Sequence, residues 1–325
     1  MNILVTGGAG FIGSQLVHRL VPEHTVTVID NFSLGKREFL ADLARDPRLT
    51  IVAADLLQPG ALDRAIAGCD VVFHLAANSD IRAGTADPYV DVQQGILATY
   101  HVLEAMRAHG VRQIVFTSSS AVYGLPTQMP TPEDYGPLTP ISQYGASKLA
   151  AEGLISAYGH LYGWQAWMCR LANIVGQRMT HGALCDFLSK LTADPTRLEI
   201  LGDGRQCKAY LHVADCVEGI LFVWTHANER VNLFNVSTSD AISVQEIAAM
   251  LSRRLGLDDV AWHYTGTAQG WAGDVPRMRL DTTKLTDLGW RPSLNSRQAV
   301  AKAIEELLTC KPSFSQAASG PACVR

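Results

Sequence analysis

A short apolar run, Asn2 to Thr6, passes through Gly7-Gly8-Ala9-Gly10-Phe11-Ile12-Gly13 into a stretch with helical spacing that ends at Leu20. Three glycines three residues apart, placed where a strand becomes a helix, constrain the fold more than anything that follows. Gly7 permits a tight turn, Gly10 lets the backbone approach a pyrophosphate, and Gly13 lets the helix pack close to the strand. Phosphates would then rest against the helix N-terminus. Seventeen residues after Gly13, closing a second β-rich run, stands Asp30. A carboxylate there accepts hydrogen bonds from both hydroxyls of an adenosine ribose and repels a 2′-phosphate, which favours NAD over NADP.

The first half of the chain keeps this rhythm. Strand patterns at 49–53, 70–75, 111–118 and 164–171 alternate with helical patterns at 59–67, 89–109 and 142–162. Such alternation predicts an α/β fold, a doubly wound parallel Rossmann sheet covered on both faces. Past residue 176 the pattern breaks into short helices and turn-rich segments. The expected organisation is an NAD-binding domain over 1–176 and a smaller C-terminal substrate domain over 177–310, some of whose segments can return to the sheet. The stretch 311–325 has no periodicity and is expected to be a disordered tail.

With 47% hydrophobic residues in 325, the chain can bury a sizeable core. The net charge of −4, with Lys and Arg scattered, offers no footprint for nucleic acid or an anionic membrane surface. No apolar stretch reaches the ~18 residues of a membrane span, so a cytoplasmic location is expected. Seven cysteines, odd in number and without CxxC spacing, argue against disulfides and zinc, and no metal is expected.

On the helix expected from Ser142, Tyr144 and Lys148 stand four residues apart and share a face. A lysine ammonium beside a tyrosine hydroxyl stabilises the phenolate and lowers its pKa, making a usable base. At the carboxyl edge of the 111–118 strand lies Thr117-Ser118-Ser119-Ser120-Ala121-Val122-Tyr123-Gly124, and open α/β sheets bind ligands at that edge. Ser119 is placed to hydrogen-bond the same substrate oxygen that Tyr144 addresses. His74, which ends an apolar strand, reads as structural.

These elements, together with Asp55-Leu56, His74-Leu75-Ala76-Ala77 and Arg170-Leu171-Ala172-Asn173-Ile174-Val175-Gly176, occur in the order and spacing of one family. Over roughly residues 1–308 the chain resembles the extended short-chain dehydrogenase/reductases. Within that family it is most similar to NAD-dependent nucleotide-sugar epimerases, UDP-glucose (UDP-galactose) 4-epimerases in particular. The resemblance makes Tyr144 the base, Lys148 its partner and a ligand of the nicotinamide ribose, and Ser119 the hydroxyl on the sugar oxygen. It counts Phe11, Ile12, Asn31 and Leu75 among the NAD contacts, lays Asp55 and Leu56 against adenine, and lines the pyrophosphate and ribose path with Ala76 and Ala77. Asn173 would touch the sugar diphosphate, and residues 201–204 would lead into a nucleotide clamp around Lys208 and Tyr210. Met278 falls where the family gates the 2-substituent of the hexose, and a flexible methionine there leaves room for an N-acetylhexosamine. The family also implies a homodimer through helices 89–109 and 142–162.

Several positions depart from the family pattern. Lys208-Ala209-Tyr210 stands where many members have Arg-Asp-Tyr, Trp271-Ala272-Gly273-Asp274 where many have Arg-x-Gly-Asp, and Gly95 where many have Asn. Arg178, Arg277 and Arg279 are the candidates to replace the missing phosphate-gripping arginine. Family dehydratases follow the Ser119 position with Asp and Glu, and decarboxylases keep a glutamate at the second of these; here the residues are Ser120 and Ala121. The expected function is therefore a nucleotide-sugar 4-epimerase, UDP-sugars favoured, working through a 4-keto intermediate with bound NAD. A 4,6-dehydratase, a decarboxylase, a simple dehydrogenase and a non-catalytic NAD-binding regulator remain the alternatives.

Overall fold

The computed structural model describes residues 1–310, and the segment expected to be a tail, 311–325, lies outside the described residues. The first half alternates as β1 (Asn2–Thr6), α1 (Phe11–Leu20), β2 (Thr25–Asp30), β3 (Leu49–Ala53), α2 (Ala61–Ile66) and β4 (Val71–His74). Then come α3 (Ile81–Ala86), α4 (Pro88–Asp91), α5 (Ala98–His109), β5 (Gln113–Ser119), α6 (Gln143–Tyr162) and β6 (Gln165–Leu171). The chain leaves the sheet through β7 (Asn173–Val175), α7 (Ala183–Ala193), β8 (Arg197–Ile200), β9 (Cys207–Lys208) and β10 (Tyr210–His212). It returns along α8 (Val213–His226) to add β11 (Val231–Val236) at the sheet edge.

The seven strands run in the order β11-β6-β5-β4-β1-β2-β3, and every pairing is parallel. Period-2 alternation within each strand feeds two cores. Ile3, Val5, Val71 and Phe73 face α1 and α8, whereas Leu4, Val72, Ile114 and Phe116 face α2, α5 and α6. Each such side chain, removed from water, contributes about 1.5–3 kcal/mol. Strand order reverses between β1 and β4, which opens a crevice at the strands' carboxyl ends. A third core joins α7 to the later helices α9 (Val244–Arg254) and, after α10 (Thr283–Leu288), α11 (Ser296–Cys310), and it walls the far side of that crevice.

One helix differs from its sequence pattern. Spacing predicts continuous α-helix over 89–109, but a π-helical turn at Val92–Leu97 separates α4 from α5. The turn falls where Gly95 is pressed onto α6: a Cβ there would lie 2.6 Å from the Ser147 Cβ. π-turns of this kind recur beside functional sites, and Gln94 and Ala98 here line the crevice.

Candidate active site

The crevice is a cleft of about 750 Å³, a volume suited to a small-molecule site. One end is built by the β1–α1 turn. Gly7 has φ +69°, and a Cβ on Gly13 would collide with the Gly7 carbonyl oxygen. No side chain caps α1 at Gly10, so the helix's first N–H groups are left for an anion. Behind them the Asp30 carboxylate is fixed by two backbone donors, Ala9 N at 2.9 Å and Phe32 N at 2.8 Å. Burial raises the Asp30 pKa while those two N–H groups pull it down. A side chain on Gly35 would intrude on the carboxylate, its Cβ only 2.9 Å from either oxygen. Asn31 donates to Asp55 at 2.8 Å, joining the ends of β2 and β3. Phe11, Ile12, Leu56, Leu75, Ala76 and Ala77 complete this wall. A cradle that only glycine can form, with a pre-set carboxylate beyond it, fits the adenosine diphosphate end of NAD.

Chemistry-bearing side chains meet where β5 ends. Ser119 accepts a hydrogen bond from Ala121 N at 3.2 Å and so turns the chain. Ser142 caps α6 by accepting from Gly145 N at 3.1 Å. A Cβ on Gly145 would stand 2.6 Å from the Ala121 carbonyl oxygen, so this glycine lets α6 approach the strand end and brings the Tyr144 hydroxyl into hydrogen bond with that of Ser119. One turn on, Lys148 donates from Nζ to the Thr117 carbonyl at 2.7 Å, with Nζ 5.8 Å from the Tyr144 ring centroid.

The electrostatics differ from the sequence expectation that Lys148 depresses the Tyr144 pKa. Burial pushes Tyr144 up to about 12, opposed by the Ser119 hydrogen bond and reinforced by Asp91. Burial likewise brings Lys148 down to about 8, against the pull of Glu152 and Asp91. The physical reason is that a phenolate here loses water, and the ammonium that would compensate is turned to the Thr117 carbonyl.

Glu152, one turn beyond Lys148, was not singled out by sequence. It forms a bidentate pair with Arg170 at 2.9 and 2.7 Å and accepts from the Ser118 hydroxyl at 2.5 Å. With side-chain exposures of 6% and 3%, the pair ties α6, β5 and β6 together directly beneath the cluster. His74 bridges the hydroxyls of Thr6 at 2.7 Å and Thr99 at 3.0 Å. Burial and the Lys148 charge lower its pKa to about 3, so it is a neutral structural link.

On the far side, Asn173, Lys208 and Tyr210 line the cleft. Asn173 donates to the Ala209 carbonyl at 3.1 Å, and Lys208 is paired with Asp274 at 2.5 Å. Met278 does not join them. It belongs to β14 (Arg277–Met278), which runs beside β9 and, like β12 (Ile242–Ser243) and β13 (Ala261–Tyr264), serves the outer layer. Its side chain, 4% exposed, is taken up by a core with Val122, Tyr123 and Leu280, so it cannot gate the sugar and its implied breadth for N-acetylhexosamines loses its support. Nor do the candidate arginines serve. Arg178 turns to the Ser14 hydroxyl at 3.2 Å and lies over Phe39, and Arg277 and Arg279 are exposed away from the lining. Among the described residues the Lys and Arg side chains that line the cleft are Arg82, Lys148 and Lys208. Arg82, on α3 just past the Ala76-Ala77 turn, was missed because nothing in its local pattern marks it.

An open α/β sheet with a dinucleotide cradle at its switch point and a buried tyrosine–lysine pair beside it is the architecture of NAD-dependent enzymes that act at a hydroxyl-bearing carbon. The chain belongs to the NAD dependent epimerase/dehydratase family, whose model matches residues 3–237, and it is an NAD-dependent enzyme of the epimerase type. It is 33% identical to the UDP-glucose 4-epimerase of Mycolicibacterium smegmatis over 94% of this chain and 98% of that one. A solved UDP-galactose 4-epimerase is 41% identical, with a TM-score of 0.85 over 96% of this chain and 100% of that one. The dTDP-glucose 4,6-dehydratase of Streptomyces venezuelae, solved with NAD bound, superposes with a TM-score of 0.88 at 28% identity over 97% and 99%.

Proposed function

We propose that the protein interconverts the C4 epimers of a nucleotide-activated hexose, with UDP-glucose and UDP-galactose as the favoured pair. The observation that carries this is the Ser119–Tyr144–Lys148 cluster followed by Ser120 and Ala121, neither of which lines the cleft or carries an ionisable acid. Tyr144 takes the proton of the 4-hydroxyl while Ser119 hydrogen-bonds the same oxygen. Bound NAD supplies a reversible hydride acceptor beside that carbon, and its cationic ring adds positive charge that a buried phenolate needs. The 4-keto sugar turns over in the cleft before the hydrogen returns to its other face. Arg82 and Lys208 face the diphosphate in this reading, in place of the family's arginines.

A 4,6-dehydratase shares the first oxidation, and relatives of that activity are close. Elimination across C5 and C6, however, needs an acid for the leaving hydroxyl and a base for the C5 proton. Turnover in deuterium oxide separates the two. Epimerisation leaves the sugar carbons free of deuterium; deuterium at C5 with a 4-keto-6-deoxy product would sink the assignment.

The enzyme is further proposed to work as a homodimer. Tyr89, Val92, Leu97 and Tyr100, with Leu161 and Tyr162 at the end of α6, leave large apolar side chains exposed on neighbouring helices, as an interaction face does. Sedimentation should give twice 35.2 kDa; a single monomeric species across micromolar loading overturns it. The division of labour between a cofactor part over 1–176 and a substrate part over 177–310 belongs to the same proposal, with β11 as the later segment that rejoins the sheet. So does a cytoplasmic location, in which the free Cys69, Cys169, Cys185, Cys207 and Cys216 would stay reduced. No described helix is long and apolar enough to cross a membrane.

A further inference from the structure

Gln206 immediately precedes β9, only 3% exposed, and it lines the cleft. Its amide nitrogen donates to the Leu201 carbonyl at 2.8 Å. Because a carbonyl can only accept, this bond fixes which end of the amide is nitrogen. Gly202 and Gly270 close around that nitrogen: a Cβ on the first would collide with it, and one on the second would lie 3.3 Å away. The other end, Oε1, is buried with no hydrogen-bond partner. A buried carbonyl oxygen left unpaired is costly and rare, and here it sits in a ligand-binding wall.

Its neighbours define what could pair with it. Leu201, Phe187 and Val244 line the same part of the cleft, and Val244 N donates to the Gln206 backbone carbonyl at 2.9 Å. Gln206, Lys208 and Tyr210 alternate along the chain and all line the cleft, as residues on one face of an extended segment do. Tyr210 is paired in register with Asn173, near the sheet, so the order outward is Asn173 and Tyr210, then Lys208, then Gln206. An apolar wall beyond a cation, with one fixed acceptor, suits a flat ring that presents a single N–H rather than a ribose with its several hydroxyls.

We propose that Gln206 reads the nucleobase of the substrate, its Oε1 accepting the imino N–H of a uracil or thymine ring laid against Leu201, Phe187 and Val244. The inference rests on the nucleotide-sugar reading above. Cytosine carries a lone pair in place of that N–H, so CDP would leave the acceptor unpaired and face it with another acceptor.

The test is competitive titration of the NAD-loaded protein with UDP, dTDP and CDP, which share a diphosphate. The wild type should bind UDP and dTDP at least about tenfold more tightly than CDP, the scale of discrimination that an unpaired buried group can impose. In Gln206→Met the UDP-to-CDP ratio should fall to within about twofold, a readout from which general loosening cancels. N3-methyl-UDP with the wild-type protein needs no variant and should bind at least about tenfold more weakly than UDP. A wild type without preference, a ratio unchanged in Gln206→Met, or full affinity for the N3-methyl compound overturns the proposal. Absence of any nucleotide binding would remove both this and the proposed function. Selective UDP binding without epimer formation would remove only the latter.

Discussion

Tyr144→Phe is expected to lower turnover at least ~10²-fold while NAD stays bound, because it deletes the proton acceptor and nothing else. The ring is fully enclosed, and phenylalanine refills the same volume without a cavity. Lys148 does not depend on the lost hydroxyl for its place, since its ammonium is anchored on the Thr117 carbonyl. The comparison to make is kcat for epimer formation alongside the NAD released on denaturation. Unchanged turnover with full NAD content would remove Tyr144 from the role of base. The pKa of about 12 in the protein alone adds a second expectation to the same experiment: in the wild type the acidic limb of activity should lie well below that value only with cofactor in place.

The half of the site that holds the cofactor was legible because local backbone rules write it. Gly7, Gly10 and Gly13 are set by collisions within a few residues of one another, and Asp30 follows from the end of an adjacent parallel strand. Tyr144 and Lys148 were readable for a similar reason, the helical repeat. The substrate half is set by long-range pairing, which leaves no periodic trace. Met278 aligns with a gating position, yet its pairing beside Lys208 sends its side chain into the core around Tyr123. Arg82 lines the cleft through the packing of α3, and the orphan oxygen of Gln206 exists only because Leu201 holds the amide's other end. Glu152 sits at visible spacing from Lys148, but its partner is eighteen residues away on another element.

That partner makes Glu152 the position where a single substitution should cost most stability. Glu152→Leu leaves the Arg170 guanidinium buried without a counter-charge and the Ser118 hydroxyl without its acceptor. Removing one member of such a pair costs about 3–5 kcal/mol, which in a chain this size lowers the unfolding midpoint by on the order of 5–15 °C. The cost comes from the stranded charge and not from the loss of an intrinsically strong bond, because the desolvation of both ions offsets much of their attraction. It follows that removing all the polar partners together, as Ser118→Ala, Glu152→Leu and Arg170→Met, should recover more than half of the lost stability. Thermal unfolding by circular dichroism of the single and triple variants, with bound NAD measured in each, decides the matter. If the triple variant is no more stable than Glu152→Leu alone, the stranded charge is not the cause, and Glu152 matters instead through shape at the junction of β5, β6 and α6.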